Sequence, residues 1–396
     1  MATHSLKDRV AIIGAGCTPF GEHFDKSIDD LIVDAVTETL KDSGLDFADI
    51  DAYWMGTYIS GISGLTLSRP LRLEGKPVTR VENMCATGSD AFRNAVYAVA
   101  SGAVDVAMAV GAEKLKDNGY SGLISPRPQD DGTRFGTSAP ASFSLLGPAY
   151  QARHGVDAET FRDAMTHVAW KNHANGVPNP RAQFRKNISK EAIANSPLVA
   201  GNLGVLDCSG VADGAAAVIV VRAEDAHKYT DKPLYVKALA LVAGSAAGPI
   251  DSTYDYTTFP EVRAAAADAY AQAGITNPRR ELALAEVHDC FTPTEILLME
   301  DLGFSEVGSA CDDVLSGAFD HDGDLPVNCD GGLKSFGHPV GASGLRMLFE
   351  CWLQLRGEAG ERQIATADRG LALTHNLGGA PGDCVSFIGI VGSQLG

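Results

Sequence analysis

The chain runs through the same order of elements twice. In the first half an apolar, strand-like stretch at 10–14 leads into residues 28–44. There Leu31, Ala35, Val36 and Leu40 recur at helical spacing, and Gly44 offers a stop before 49–56 returns as a strand. In the second half 234–243 reads as a strand, 262–274 as a helix closed by Gly274, and 282–288 as the returning strand. A strand–helix–strand unit has apolar faces that it cannot cover alone. Two similar halves stacked back to back are the economical way to bury them, which makes this an α/β protein. At 396 residues and 45% hydrophobic composition, one large core or two smaller ones can be filled.

Each half continues with a loop, a helix and a strand, and each loop carries a reactive side chain. Cys85 precedes the small and apolar helix pattern of 88–102 and the strand at 104–111. His338 precedes the pattern 341–352 and the strand at 370–375. Pseudo-symmetry then places Cys85 and His338 at facing helix N-termini. Residues 116–206 interrupt the repeat. They are rich in Pro, Gly, Ser and Asn, hold one clear helical segment near 158–173, and read as a loop domain inserted over a site. The strand within 213–222 returns the chain to the first half. The expected division is 1–232, including the insertion, and 233–396.

A formal net charge of −18 opposes non-specific binding to nucleic acid and to anionic membranes. A polyanionic substrate needs a local basic patch, and Arg181, Arg185 and Lys186 form the candidate cluster, although a short basic run is most often a solvated surface. No segment approaches the roughly 18 apolar residues of a membrane span, and the N-terminus lacks the apolar core of a secretory signal. Eight cysteines without C-x-x-C spacing point to reduced thiols, no zinc site and a cytoplasmic location.

Cysteine and histidine together can supply a nucleophile and the base that makes its thiolate. In Val81-Glu-Asn-Met-Cys-Ala-Thr-Gly-Ser89, Cys85 has the setting of a thiol at a helix N-terminus, where the dipole and free N–H groups lower a pKa. A buried structural cysteine is the plain alternative. His338 stands between Gly337, which allows a close backbone approach, and Pro339, preset for a first helical turn. In Val287-His-Asp-Cys-Phe-Thr292, alternation puts His288 and Cys290 on one side and Asp289 on the other, so Cys290 could exchange the proton of a carbon acid. A core cysteine beside a satisfied histidine explains the same residues. The strand 373–377 ends in glycines, and Gly378 and Gly379 are expected to form a turn whose free N–H groups make an oxyanion hole, with His375 where strand meets loop. No Walker pattern, H-E-x-x-H or dinucleotide fingerprint is present.

Taken together, the four segments resemble the thiolase superfamily along nearly the whole chain, most closely the sterol-carrier-protein-type and archaeal-type thiolases. The resemblance implies two βαβαβαββ halves in a five-layered αβαβα fold, assembled as a homodimer or homotetramer. It implies Cys85 as the acyl-accepting nucleophile, and His338 as its activator and part of an oxyanion hole. Most thiolases carry Asn-Glu-Ala-Phe where this chain has His288-Asp-Cys-Phe291, and Cys-x-Gly where it has His375-Asn-Leu377. The late catalytic cysteine is missing, and by the same exchange in sterol-carrier-protein-type relatives the acid/base role passes to Cys290, with His288 polarising a thioester carbonyl. Coenzyme A and acyl-CoA are implied as substrates, with no bound cofactor and no metal; Met84, Phe143 and Phe291 are expected near the acyl chain. The rival readings are a carbon–carbon lyase or C-acyltransferase working with a small OB-fold, zinc-ribbon partner, and a non-catalytic lipid-binding scaffold.

Overall fold

The computed structural model describes residues 6–117, 138–250 and 253–396. Part of the expected insertion, including 127–133, lies outside the described residues. Nine strands make one mixed sheet: β1 (Val10–Cys17), β2 (Ala52–Gly56), β3 (Val78–Val81), β4 (Val106–Glu113), β5 (Gly214–Arg222), β6 (Leu234–Ala243), β7 (Leu284–Glu286), β8 (Leu371–Ala380) and β9 (Asp383–Gly392). The longer helices are α1 (Ile28–Ser43), α2 (Thr87–Ala100), α3 (Ala158–Gly176), α4 (Pro260–Ala273), α5 (Thr292–Asp301) and α6 (Ser343–Arg356).

The sheet order β3-β2-β4-β5-β1-β6-β9-β8-β7 is a duplication about its centre. In the first arm β3, β2 and β4 are parallel, and β5 pairs antiparallel with both β4 and β1. The second arm repeats this with β7 parallel to β8 and β9 antiparallel to β8 and β6. A single parallel bridge between Ala285 and Val327 occupies the place that β3 holds in the first arm. The arms meet where β1 runs antiparallel to β6 over only two residue pairs, Ala11 with Tyr235 and Ile12 with Leu234.

Strand alternation sorts side chains into layers. Val10 and Ile12 of β1 join Phe92, Val96, Leu345 and Leu348 of α2 and α6 in a central core. Their neighbours Ala11 and Ile13 turn outward onto Leu31, Ile32, Ala35 and Val36 of α1. In the second arm, Ile388 and Ile390 of β9 pack outward with Val262, Ala265 and Ala269 of α4, while Phe387 and Val391 face the central helices. The result is the αβαβα layering that the family resemblance implied. The α1 boundaries follow from local chemistry. Ser27 caps its N-terminus in a capping box with Asp30, and Gly44 closes it at φ 71°.

The two central helices meet at their N-termini with backbone close against backbone. A Cβ on Gly88 would stand 2.7 Å from the Gly341 carbonyl oxygen, and one on Gly111 only 2.2 Å from the same atom. Beside this contact the buried Glu113 carboxylate accepts from the N–H groups of Tyr58 (2.8 Å), Ile59 (3.0 Å), Ser60 (2.8 Å) and Gly341 (3.0 Å), and from the hydroxyls of Thr57 and Ser60. One anion thus ties the first arm to the loop that follows His338.

The insertion contains more helix than its composition announced. Besides α3 there are short helices at Ala139–Phe143, Leu146–His154 and Lys190–Ala194. In α3 the buried face includes Lys171, Asn172 and Asn175, which are polar and defeat a reading based on apolar spacing.

Gly111→Ala must displace backbone, because its nearest obstacles are the Gly341 carbonyl and the Ala342 Cα. The expected cost is about 1–3 kcal/mol of unfolding free energy, measured by denaturant titration against the wild-type chain.

Candidate active site

Cys85 lies between β3 and α2, two residues before the helix begins. The preceding Met84 takes the left-handed conformation at φ 50°, and the turn is closed by the Ala86 and Thr87 N–H groups donating to the Asn83 and Met84 carbonyls. Thr87 Oγ1 accepts from the Asn83 N–H at 2.9 Å, locking the loop onto the helix. Across from it, a Cβ on Gly378 would lie 2.3 Å from the Asn83 carbonyl oxygen. The Cys85 loop therefore rests directly on β8.

His338 is fully buried and presented by Gly337, whose φ of 110° belongs to glycine. Its N–H donates to the Gly210 carbonyl at 2.7 Å. Its Nδ1 lies 2.7 Å from the Ser343 hydroxyl, which itself donates to the Pro339 carbonyl at 3.1 Å. With its one proton committed to Pro339, Ser343 must accept from Nδ1–H. That fixes the tautomer and leaves the Nε2 lone pair bare; Nε2 has no hydrogen-bond partner among the described residues.

The Cys85 sulfur and one ring nitrogen from each of His288 and His338 lie within 4.8 Å of one another. The two imidazoles stand edge to face with centroids 5.5 Å apart. Cys290 is buried, its sulfur 3.8 Å from Thr294 Oγ1 at the start of α5. Phe291 stacks on Phe143 with centroids 4.8 Å apart, so these two form one apolar wall. Asp289 turns away, accepting from Asn172 Nδ2 (2.8 Å) and from the N–H groups of Leu333 (2.6 Å) and Lys334 (3.1 Å). The alternation read along 288–290 is the one observed.

Burial governs the protonation states. It holds the His338 imidazole at about 3, with the Arg346 charge adding to the shift, and the His375 imidazole at about 3. His288 is driven well below its usual value by burial and by the other two histidines. The Cys85 thiol is pushed up to about 12 by desolvation, then by the Glu113 and Glu82 carboxylates. Cys290 rises well above its usual value for the same first reason. The expected lowering of the Cys85 pKa is therefore reversed: loss of water raises it, and two nearby carboxylates add to the rise. The resting pair is a neutral thiol beside a neutral imidazole.

Two further expectations are corrected. Strand β8 does not stop at His375; its pairing with β9 continues through Gly378 with Val385 and Gly379 with Cys384, so the glycines are ladder residues and the turn falls at 381–382. His375 is consequently mid-strand and fully buried, with neither ring nitrogen partnered among the described residues. In the basic cluster, Arg181 is not free to meet a ligand. Its guanidinium pairs with Glu38 at 2.5 Å and with the Cys17 carbonyl. Arg185 and Lys186 are exposed.

Sequence reading missed the supports. Asn172 of α3 bridges Asp289 and Glu295, while Lys171 meets Glu295 at 2.9 Å. Asn328 accepts from the Val287 N–H at 2.8 Å and donates to Glu295 at 2.9 Å. On α6, the buried Arg346 holds Glu286 (2.8 Å) and Asp330 (2.5 Å), anchoring the strand that delivers His288. The segment before β5 touches both motifs: the Ser209 N–H donates to the Cys290 carbonyl at 2.8 Å, and Gly210 receives His338. A cleft of about 490 Å³ opens beside it, lined by Gly21, Glu22, Lys116, Gln183, Phe184, Gly210 and Val211.

Residues 10–224 match the family model for the thiolase N-terminal domain, and residues 244–388 that described as thiolase C-terminal domain-like. An acetyl-CoA acetyltransferase of Methanothermobacter thermautotrophicus is 40% identical over 96% of this chain and 98% of its own. Sterol carrier protein 2 of Gallus gallus is 32% identical over 94% of this chain and 70% of its own. Among solved structures, an Ltp2-ChsH2(DUF35) aldolase matches at TM-score 0.81 and 25% identity, covering 98% of this chain and 99% of that one. Human mitochondrial 3-ketoacyl-CoA thiolase shares the fold at TM-score 0.71 and 18% identity, over 99% and 100% of the two chains. With two ordered family domains spanning the duplicated sheet, and the cysteine of one arm brought within 4.8 Å of two histidines of the other, the chain belongs to the thiolase family.

Proposed function

We propose that this chain is a thiolase-type acyltransferase that cleaves a 3-ketoacyl-CoA with coenzyme A, or runs the reverse Claisen condensation, through an acyl group on Cys85. The observation that carries this reading is the cluster of the Cys85 sulfur and the two histidine nitrogens within 4.8 Å, with a bare His338 Nε2 beside it. His338 takes the thiol proton as sulfur attacks the keto carbon. The bond to the α-carbon breaks, its electrons pass into the acetyl-CoA enolate, and Cys290 supplies the proton that completes acetyl-CoA. The Cys290 thiolate then deprotonates incoming coenzyme A, whose sulfur takes the acyl group; the departing Cys85 thiolate recovers its proton from His338.

His288 is assigned to the thioester carbonyl, with His375 behind it. Met84, Phe143 and Phe291 are assigned to the acyl pocket, and Arg185 and Lys186, without Arg181, to the polyanionic end of coenzyme A. Gly378 and Gly379 keep a role in bounding the site, Gly378 through its contact with the Cys85 loop. The halves are proposed to divide at residue 232, the assembly to be a homodimer or homotetramer, and the location to be cytoplasmic; no helix among the described residues is long and apolar enough to cross a membrane.

A second reading is favoured by the aldolase similarity: retro-aldol or related carbon–carbon chemistry with a small DUF35-type partner. Intact mass and peptide mapping after mixing with acetyl-CoA, and separately with acetoacetyl-CoA, decide between them. An acetyl group on the Cys85 peptide is the expected outcome; a folded protein that forms no adduct until a partner is supplied would favour the second reading.

Cys85→Ala is expected to lose at least about a thousandfold in thiolysis, and His338→Asn about a hundredfold or more in the acylation step, both read from the release of thioester absorbance. Because the thiol is protonated throughout the working range, its thiolate fraction grows as pH rises. Alkylation of Cys85 by iodoacetamide should therefore climb about tenfold per unit between about pH 6 and 9. A plateau with a midpoint near 7 would instead mean a preformed thiolate–imidazolium pair.

A further inference from the structure

The same three side chains that set up nucleophilic attack have the composition of a soft-metal site. We propose that Cys85, His288 and His338 form a three-ligand site for a divalent zinc-like cation, and that occupancy shuts the nucleophile off. The binding claim rests on geometry alone; its inhibitory consequence rests on the reading of Cys85 as nucleophile.

The donors are one thiol and two imidazoles, the set preferred by Zn²⁺. Their ligating atoms lie within 4.8 Å of one another. Bonds of about 2.0–2.1 Å to nitrogen and 2.3 Å to sulfur in a tetrahedron place ligand atoms about 3.3–3.6 Å apart. Closing that gap takes movements of about 1 Å or less per side chain. Both imidazoles offer buried nitrogens, His338 Nε2 and His288 Nδ1, that have no hydrogen-bond partner among the described residues. His338 is already in the tautomer a ligand needs, with Nδ1–H held by Ser343 in the way a metal-bound histidine is held through its other nitrogen. The Glu113 and Glu82 carboxylates bias the potential at Cys85 towards cations, opposing the Arg346 charge felt at the two histidines. As the sulfur–metal bond forms the thiol proton leaves to solvent, and water completes the fourth position. A cation so held blocks the sulfur lone pair and the base together, so acylation stops without any change of fold.

The test uses Co²⁺ as a spectroscopic probe and Zn²⁺ as the inhibitor, on the purified full chain treated beforehand with a chelator. Wild type should show a sulfur-to-cobalt charge-transfer band and a tetrahedral visible spectrum with Co²⁺, both displaced by Zn²⁺. Cys85→Ser, folded by circular dichroism, should lose the charge-transfer band, and His288→Asn should weaken metal binding at least about tenfold. Acetyl transfer to Cys85 should fall in parallel with Zn²⁺ occupancy and return when chelator is added. No band in a chain that acylates Cys85 in chelated buffer would overturn the metal site and leave the thiolase reading intact. Unchanged metal binding in Cys85→Ser would also overturn it. A band in a chain that never acylates would support the site while removing the thiolase reading.

Discussion

The structure depends on backbone lying directly on backbone where the two halves meet. Gly88 and Gly111 of the first arm face the Gly341 carbonyl, and Gly344 faces Ser89, at distances that leave no room for a Cβ. Close packing of this kind has no slack, so the N-termini of α2 and α6 are fixed relative to each other to within the compressibility of the core. The Glu113 carboxylate reinforces the same junction. It gathers donors from 57–60 and from Gly341, so the loop after His338 is held by charge-assisted hydrogen bonds as well as by shape. Everything reactive hangs from these two helix starts and from the strand ends beside them.

Electrostatics then decides what the assembled residues are at rest. Removing water raises thiols and lowers imidazoles, which leaves Cys85, Cys290, His288, His338 and His375 all neutral. Charge is present nearby, as in the buried Arg346 guanidinium that meets the two carboxylates Glu286 and Asp330 and adds to the lowering of His338. A neutral site keeps its nucleophile masked until a substrate carbonyl arrives to accept the developing negative charge.

Much of this was legible in the chain. The repeated strand–helix–strand order gave away the duplication, because apolar periodicity is a local property that survives without a partner. The spacing along 287–292 likewise fixed which side chains share a face. What escaped was whatever depends on a distant segment. The pairing of β8 with β9 carries the strand through Gly378 and Gly379, and no local rule reveals that Gly378, of a type usually found in turns, is there to admit the Cys85 loop. The polar face of α3 escaped because Lys171 and Asn172 look like solvent-facing residues until Glu295 and Asp289 are placed against them. Arg181 misled for the same reason: its partner Glu38 lies 143 positions away. The expected lowering of the Cys85 pKa failed because burial raises it, and burial is displayed only by the assembled structure.

The duplicated sheet places the cysteine in one arm and both imidazoles in the other, with the arms joined by two residue pairs between β1 and β6. Neither arm owns a complete set of reactive groups, so turnover is a logical conjunction of two folded modules. Catalysis in such a molecule is its own report of docking. A strain that slides one arm past the other by an ångström would silence the chemistry while each module kept its secondary structure and its core.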